Sequence, residues 1–167
     1  SKFSAKTFST CGFEEAAVVS ESYYDACITE TSSMNLIDNL STGNKDNINP
    51  KAIFYEISLL DLDTSKINPY TMNKIFEDVD VVFHLAALAR VQPSIEDPIS
   101  FNKINVEGTV KLLFACHNAG VKRVVYSASS SCYGDATILP TPEDHSTNPL
   151  SPYGLQKYIG EQYCKMF

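Results

Sequence analysis

Apolar residues fall along this chain in short blocks separated by polar, proline-bearing stretches. Residues 34–39 form a brief apolar run closing on Asp38, and residues 52–60 form a second. Residues 79–87 are almost continuously apolar, the pattern of a strand buried on both faces rather than one with a wet side. Between these runs, residues 70–77 predict a short helix. Residues 100–118 predict a longer one, with Ile104, Val110, Leu112, Leu113 and Ala115 recurring at helical spacing and Gly120 as the stop. Residues 121–127, rich in β-branched side chains, predict a further strand. Residues 135–150 hold Pro140, Pro142 and Pro149 and predict an irregular loop, after which a last helix begins near Pro152. No internal repeat or low-complexity tract interrupts the series. Helix alternating with strand predicts an α/β fold built on a doubly wound parallel sheet.

Size and charge narrow the field. With 167 residues and 44% apolar content the chain can bury one core, and it is short for two ordinary domains. A formal charge of −7 argues against nucleic acid or an anionic membrane as partner, since both call for clustered Lys and Arg. No apolar stretch approaches the roughly 20 residues that span a bilayer, and the start lacks the layout of a secretory signal. Cys11, Cys27, Cys116, Cys132 and Cys164 are odd in number and scattered, with no pair at ligand spacing. They predict free thiols in a reducing, cytoplasmic compartment rather than a disulfide frame or a zinc site. His84 sits at a strand end without a second ligand at metal spacing, and predicts packing rather than metal binding; His117 and His145 carry no signal.

The chemistry concentrates near the end. In Ser151-Pro152-Tyr153-Gly154-Leu155-Gln156-Lys157 a tyrosine and a lysine stand four apart, which on a helix stacks a phenol beside an ammonium. Free phenols titrate near 10, and a fixed positive charge within a few ångströms favours the phenolate. Upstream, residues 124–135 pass from an apolar strand into hydroxyls, Ser127, Ser129, Ser130 and Ser131, and then the Tyr133-Gly134 turn. Ligands gather at the carboxyl ends of strands in open α/β sheets, so a serine there can hydrogen-bond a substrate hydroxyl beside the phenolate.

Ser129 followed by Tyr133-Gly134, then Ser151-Pro152-Tyr153 and Lys157, resembles the extended short-chain dehydrogenase/reductases, and among them the nucleotide-sugar 4-epimerases. Ile37-Asp38-Asn39-Leu40-Ser41-Thr42-Gly43 is similar to that family's second strand and ribose-binding turn. Val82-Phe83-His84-Leu85-Ala86-Ala87 is similar to the strand that ends against the cofactor, and Asn105-Val106-Glu107-Gly108-Thr109 to the next helix. The resemblance covers residues 34–167 in the family's order. It implies a Rossmann-like sheet and NAD as cofactor, with a nucleotide sugar as substrate.

Roles follow from the resemblance. Tyr153 would be the base and Ser129 would hold the reacting sugar oxygen, while Lys157 would favour the phenolate and bridge the nicotinamide ribose. Asp38 would accept from the adenosine ribose and disfavour the extra phosphate of NADP. Asn39, Ser41, Thr42 and Gly43 would line the adenosine side, and Leu85, Ala86, Ala87 and Ala89 the middle of the cofactor. Leu59 would lie against adenine, with Ser58 where the family usually has Asp. Asn105 either orients backbone near the nicotinamide or serves as a helix-packing amide. Ser130 joins Ser129 toward substrate; Arg90 and the segment Val91 to Ser94 would approach the sugar or its phosphates, with a surface side chain as the alternative for Arg90. Dehydratases of the superfamily carry Asp and Glu just after the Ser or Thr; here Ser130 and Ser131 stand instead, which favours epimerisation over loss of water. The helices from Ser100 and from Pro152 would pair two chains as a homodimer. The rival reading is a non-catalytic dinucleotide-fold remnant that associates through its helices.

Two departures accompany the resemblance. A glycine-rich turn should open a dinucleotide fold, yet Gly12 is the only glycine before Gly43. Gly12 would be the remaining cofactor-binding glycine of that turn, with Glu14, Glu15 and Ala16 where more glycine is expected and two acids that would repel a pyrophosphate. Residues 1–33 are therefore expected to be an atypical first strand-helix region, with 8–33 either read out of frame by a sequencing or genomic frameshift or a real, divergent terminus that binds cofactor poorly. Residues 34–167 are expected to be a truncated NAD-binding domain, a fragment lacking the sugar-binding lobe.

Overall fold

The computed structural model describes the backbone of residues 15–19, and residues 33–62 and 68–167. Its centre is a sheet of five parallel strands: β1 (Glu15–Val19), β2 (Ser33–Asp38), β3 (Ile53–Glu56), β4 (Val81–His84) and β5 (Arg123–Tyr126). Their order across the sheet is β3-β2-β1-β4-β5. The chain thus builds outward from β1 in one direction and then returns to build outward in the other, leaving a switch point between β1 and β4 where open sheets bind ligands. Register aligns the carboxyl ends. Tyr55 pairs with Ile37, Val19 with both Ile37 and His84, and His84 with Tyr126, so one row crosses all five strands. Asp38 ends β2 opposite Glu56.

β1 corrects one expectation. Glu15 and Ala16, assigned above to the place of the glycine turn, head a central strand, for which the following Ala17-Val18-Val19 supplies small and β-branched residues. Gly12 lies outside the described residues, as does most of the stretch read as out of frame.

The helices follow the apolar periodicity with shifted ends. α1 (Pro69–Phe76) starts on a capping bond from the Tyr70 N–H to the Asn68 side chain, with Pro69 at the position where a missing N–H costs nothing. The helix expected over 100–118 begins earlier, as α3 (Pro98–Asn102), because Pro98 takes the first position and Asp97 accepts from the Ser100 N–H. It continues through a π-helical stretch (Lys103–Gly108) into α4 (Thr109–Ala119). Gly120, at φ 74°, ends it: its N–H reaches the His117 carbonyl and the Val121 N–H the Cys116 carbonyl, the paired bonds of a left-handed cap. The strand expected over 79–87 is regular only to His84; residues 85–90 run on without regular structure. Similarly, the run expected over 52–60 breaks after Glu56 into a 3₁₀ turn, Leu59–Asp61.

The core lies where α1 and α4 cover the sheet. Ile37, Leu59, Leu62, Ile75, Phe76, Val79, Val82, Leu112, Ala115 and Cys116 pack there. Burying each large aliphatic or aromatic side chain contributes roughly 1.5–3 kcal/mol. That rigid packing fixes the strand ends from which the site is built. The long segment 135–150 is irregular as expected, and α5 (Pro152–Met166) closes the described chain.

Candidate functional site

The start of α5 is fully accounted for. Pro152 at its first position has no N–H, the Tyr153 N–H donates to Ser94 Oγ at 3.1 Å, and the Gly154 N–H donates to Ser151 Oγ at 3.1 Å. Ser94 belongs to a short helix, α2 (Val91–Glu96), and is wholly buried; its hydroxyl donates in turn to the Val91 carbonyl at 2.6 Å. Pro93 is no obstacle to α2, because it falls in the first turn where N–H groups have no helical partner. The result sets the height and phase of the helix carrying Tyr153 and Lys157.

Lys157, one turn on, is buried at 3% exposure, its Nζ 4.3 Å from the centre of the Tyr126 ring. Burial holds its ammonium down to about 8, against smaller raising effects of Cys164 and Glu161. Tyr153 itself is half-buried. The serines follow β5 in a tight turn: Ser129 Oγ accepts from the Ser131 N–H at 3.2 Å and caps the 3₁₀ segment Ser130–Tyr133. A Cβ on Gly154 would lie 2.6 Å from the Ser131 carbonyl oxygen, so only glycine lets the serine turn reach the helix beside Tyr153. The loop after it folds back, the Asn148 N–H donating to the Cys132 carbonyl at 2.9 Å. Ser130 is exposed.

A cleft of about 240 Å³ opens at the carboxyl ends of β2, β3 and β4. Asp38, Asn39, Ser41, Leu59, Ala86 and Ala87, all expected at the cofactor, line it. So do Ile37, Ile57, Ser58, Leu88 and Ile104; of these Ser58 was read beside the adenine, Ile37 as strand and Ile104 as a helix-face position, while Ile57 and Leu88 had no assignment. Apolar positions carry no mark distinguishing a cleft wall from a core face. Thr42, Gly43, Leu85, Ala89 and Asn105 are not among its lining residues, nor are Ser129, Tyr153 and Lys157. Asp38 Oδ1 accepts from the Leu40 N–H at 2.6 Å, and Leu40 is held at φ 53°. Gly43 lies against that carboxylate: a Cβ there would be 3.7 Å from Oδ1.

Asn105 joins the cleft to the helix. Its side chain accepts from the Leu88 N–H at 2.8 Å, donates to the Leu88 carbonyl at 3.0 Å and donates to Gln156 Oε1 at 3.1 Å. Leu88 lines the cleft and Gln156 precedes Lys157, so one buried amide spans both parts. These bonds fix the Leu88 backbone and tie the helix to α5. Asn105 sits in the π-helical stretch, a feature that recurs at functional sites. Gln156 carried no sequence signal and Ser94 was read only as the end of a segment near the sugar; the bonds each makes depend on partners 51 and 59 positions away.

His84 is fully buried. Thr109 gives its hydroxyl proton to the Asn105 carbonyl at 2.7 Å, so at 2.8 Å it accepts from His84 Nε2–H, which leaves Nδ1 as the bare nitrogen. Burial, then the nearby Lys157 charge, hold the imidazole down to about 3. It is a neutral packing residue at neutral pH. Arg90 is exposed, at φ 86° just before α2.

The family model for the NAD dependent epimerase/dehydratase family matches residues 23–167. A putative UDP-glucose 4-epimerase of Methanocaldococcus jannaschii is 40% identical over 154 residues, 91% of this chain and 48% of that protein. The crystal structure of a UDP-glucose 4-epimerase with UDP-glucose from Thermotoga maritima superposes with a TM-score of 0.80 at 33% identity, over 91% of this chain and 50% of that one. A UDP-glucose 4-epimerase from Brucella ovis in complex with NAD gives 0.78 at 30% identity, over 89% of this chain and 46% of that one. The chain thus spans about half the length of the relatives it matches.

Proposed function

The chain belongs to the NAD dependent epimerase/dehydratase family, and from that premise we propose that it forms the cofactor-binding and proton-transfer part of a nucleotide-sugar 4-epimerase acting on a UDP-hexose or UDP-N-acetylhexosamine. The observation that carries the reading is the braced start of α5. It sets Tyr153 and Lys157 one turn apart beside a serine turn at the end of β5.

The residues present suit NAD. Asp38 stands at the end of β2 with Gly43 cradled against it, and small side chains, Ala86 and Ala87, leave room along the cleft. Asp38 would hold ribose hydroxyls, Leu59 a face of the adenine, and Lys157 the nicotinamide ribose. When bound, NAD would supply reversible hydride acceptance at C4 of the sugar, so a full cycle would leave no net oxidation. Tyr153 takes the proton from the 4-hydroxyl and later gives it back. Ser129 hydrogen-bonds the reacting oxygen and Ser130 extends that contact. Buried Lys157, one turn from Tyr153 on α5, would supply the positive charge that favours the phenolate. Arg90, exposed beside α2, reaches toward the sugar or its phosphates. Exposed Ile99, Phe114 and Leu155, on the helices that begin at Pro98 and Pro152, support pairing of two copies there.

The test uses the purified protein, expressed with any sequence encoded beyond Phe167, supplied with NAD and either UDP-glucose or UDP-N-acetylglucosamine. The expected product is the 4-epimer, and Tyr153→Phe is expected to slow turnover by roughly 10²–10⁴-fold while NAD binding changes little. A protein that binds NAD yet turns over no nucleotide sugar, or a Phe variant as fast as the parent, overturns the reading.

A further inference from the structure

Lys157 poses an unsolved problem of burial. The residue is 3% exposed, and no carboxylate lies within ion-pairing distance of its ammonium among the described residues. Taking such a charge out of water is costly unless something polar faces it. What faces it is an aromatic ring, that of Tyr126, at 4.3 Å. A desolvated ammonium over a tyrosine face is attracted by the ring's negative π-cloud. The same tyrosine touches the lysine twice, because its hydroxyl also points to the Lys157 carbonyl at 3.4 Å, a long and therefore weak bond.

That double approach requires a gap in α5. A Cβ on Gly160 would collide with the Tyr126 hydroxyl and would sit 2.6 Å from its Cζ, so any larger residue at 160 displaces the ring. On the sheet side the ring is braced by His84, whose ring centre is 5.2 Å away and which is itself anchored through Thr109 to the π-helical stretch. β4, β5, α4 and α5 thus converge on one aromatic side chain.

We propose that Tyr126 is a positioning residue for Lys157: its ring seats the ammonium at the end of β5, and Gly160 is the opening that lets it do so. The proposal rests on the epimerase reading only for what Lys157 then does, namely hold the cofactor ribose beside Tyr153. The ring carries the effect rather than the hydroxyl, since the hydroxyl's bond is the weaker of the two contacts. Phenylalanine therefore substitutes for Tyr126, and an aliphatic residue does not.

The experiment follows the side-chain NMR signals of Lys157 in lysine-labelled protein, assigned by loss in Lys157→Arg, together with NAD binding by titration. In the parent protein the ring current is expected to shift the Lys157 Hε protons upfield of those of exposed lysines. Tyr126→Phe keeps that shift and binds NAD within about threefold of the parent; Tyr126→Leu loses the shift and binds roughly tenfold or more weakly. Where Tyr126→Leu does not fold, Gly160→Ala keeps the ring but drives it from its seat, and the same loss is expected. No upfield shift in the parent overturns the proposal, as does a leucine variant indistinguishable from it or a phenylalanine variant as impaired as the leucine one. A parent protein that shows the shift but takes up no NAD leaves the seat established and instead removes the epimerase reading.

Discussion

A single amide shows how much one residue carries. Asn105 makes three hydrogen bonds, two of them to the backbone of Leu88 and one to Gln156. Asn105→Ala leaves those partners in a water-poor region without replacements. The expected loss is about 2–4 kcal/mol, read as a lowered urea midpoint, and NAD binding should weaken with it because Leu88 lines the cleft. His84 makes a second residue-scale prediction. Its folded form refuses a proton until about pH 3, whereas the unfolded imidazole takes one near 6.5. Below pH 6.5 the unfolded state therefore binds the extra proton, and stability falls as pH drops through that window, by up to a few kcal/mol on the order-of-magnitude scale of the shift. Unfolding curves at pH 7 and pH 4 check this, with His84→Gln expected to remove that part of the slope. Lysine and histidine here titrate abnormally for one cause, burial.

At the scale of elements, the decisive contact is between a turn and a helix. The serine turn after β5 meets the first turn of α5 only because Gly154 has no side chain to strike the Ser131 carbonyl. Gly154→Ala should push the turn away from Tyr153, costing roughly 1–3 kcal/mol and lowering turnover more than it lowers NAD binding, since the cleft is lined by other elements. Thermal unfolding and a comparison of kcat with NAD affinity separate the two effects; equal losses in both would contradict the placement. The long helix shows the opposite arrangement. Its π-helical stretch inserts Asn105 and Gly108 between regular turns, and Gly108 admits Leu59, which would lie 3.0 Å from a Cβ at that position.

For the molecule as a whole, the sheet order explains why the cleft and α5 sit apart. β2 and β3 lie on one side of the switch point and carry Asp38 and Leu59 toward the cleft, while β5 on the other side leads to the serine turn. An extended dinucleotide is a ligand long enough to span both. A carboxylate at the ribose end repels a further phosphate, so NAD should bind at least about tenfold more tightly than NADP. Asp38→Ala should narrow that ratio in parallel titrations of the two nucleotides.

The residues themselves determined the alternation of helix and strand, the acid closing β2, and the Tyr153–Lys157 pairing, since each depends on local periodicity or on spacing within one helix. The ordered set of motifs from residue 34 onward was enough to place the family. Element ends were less legible: helix starts shifted to where Asp97 and Pro98 satisfy the backbone, and the run past His84 is apolar because it walls the cleft, not because it is strand. The central strand at Glu15–Val19 was hidden by two acids that resemble a spoiled turn when read without their neighbours. Ser94, Gln156, Tyr126 and Gly160 acquired their roles only in three dimensions. Each acts through a partner on another element, and hydrogen bonding, ring stacking and the absence of a Cβ depend on distances that a linear order of residues does not contain.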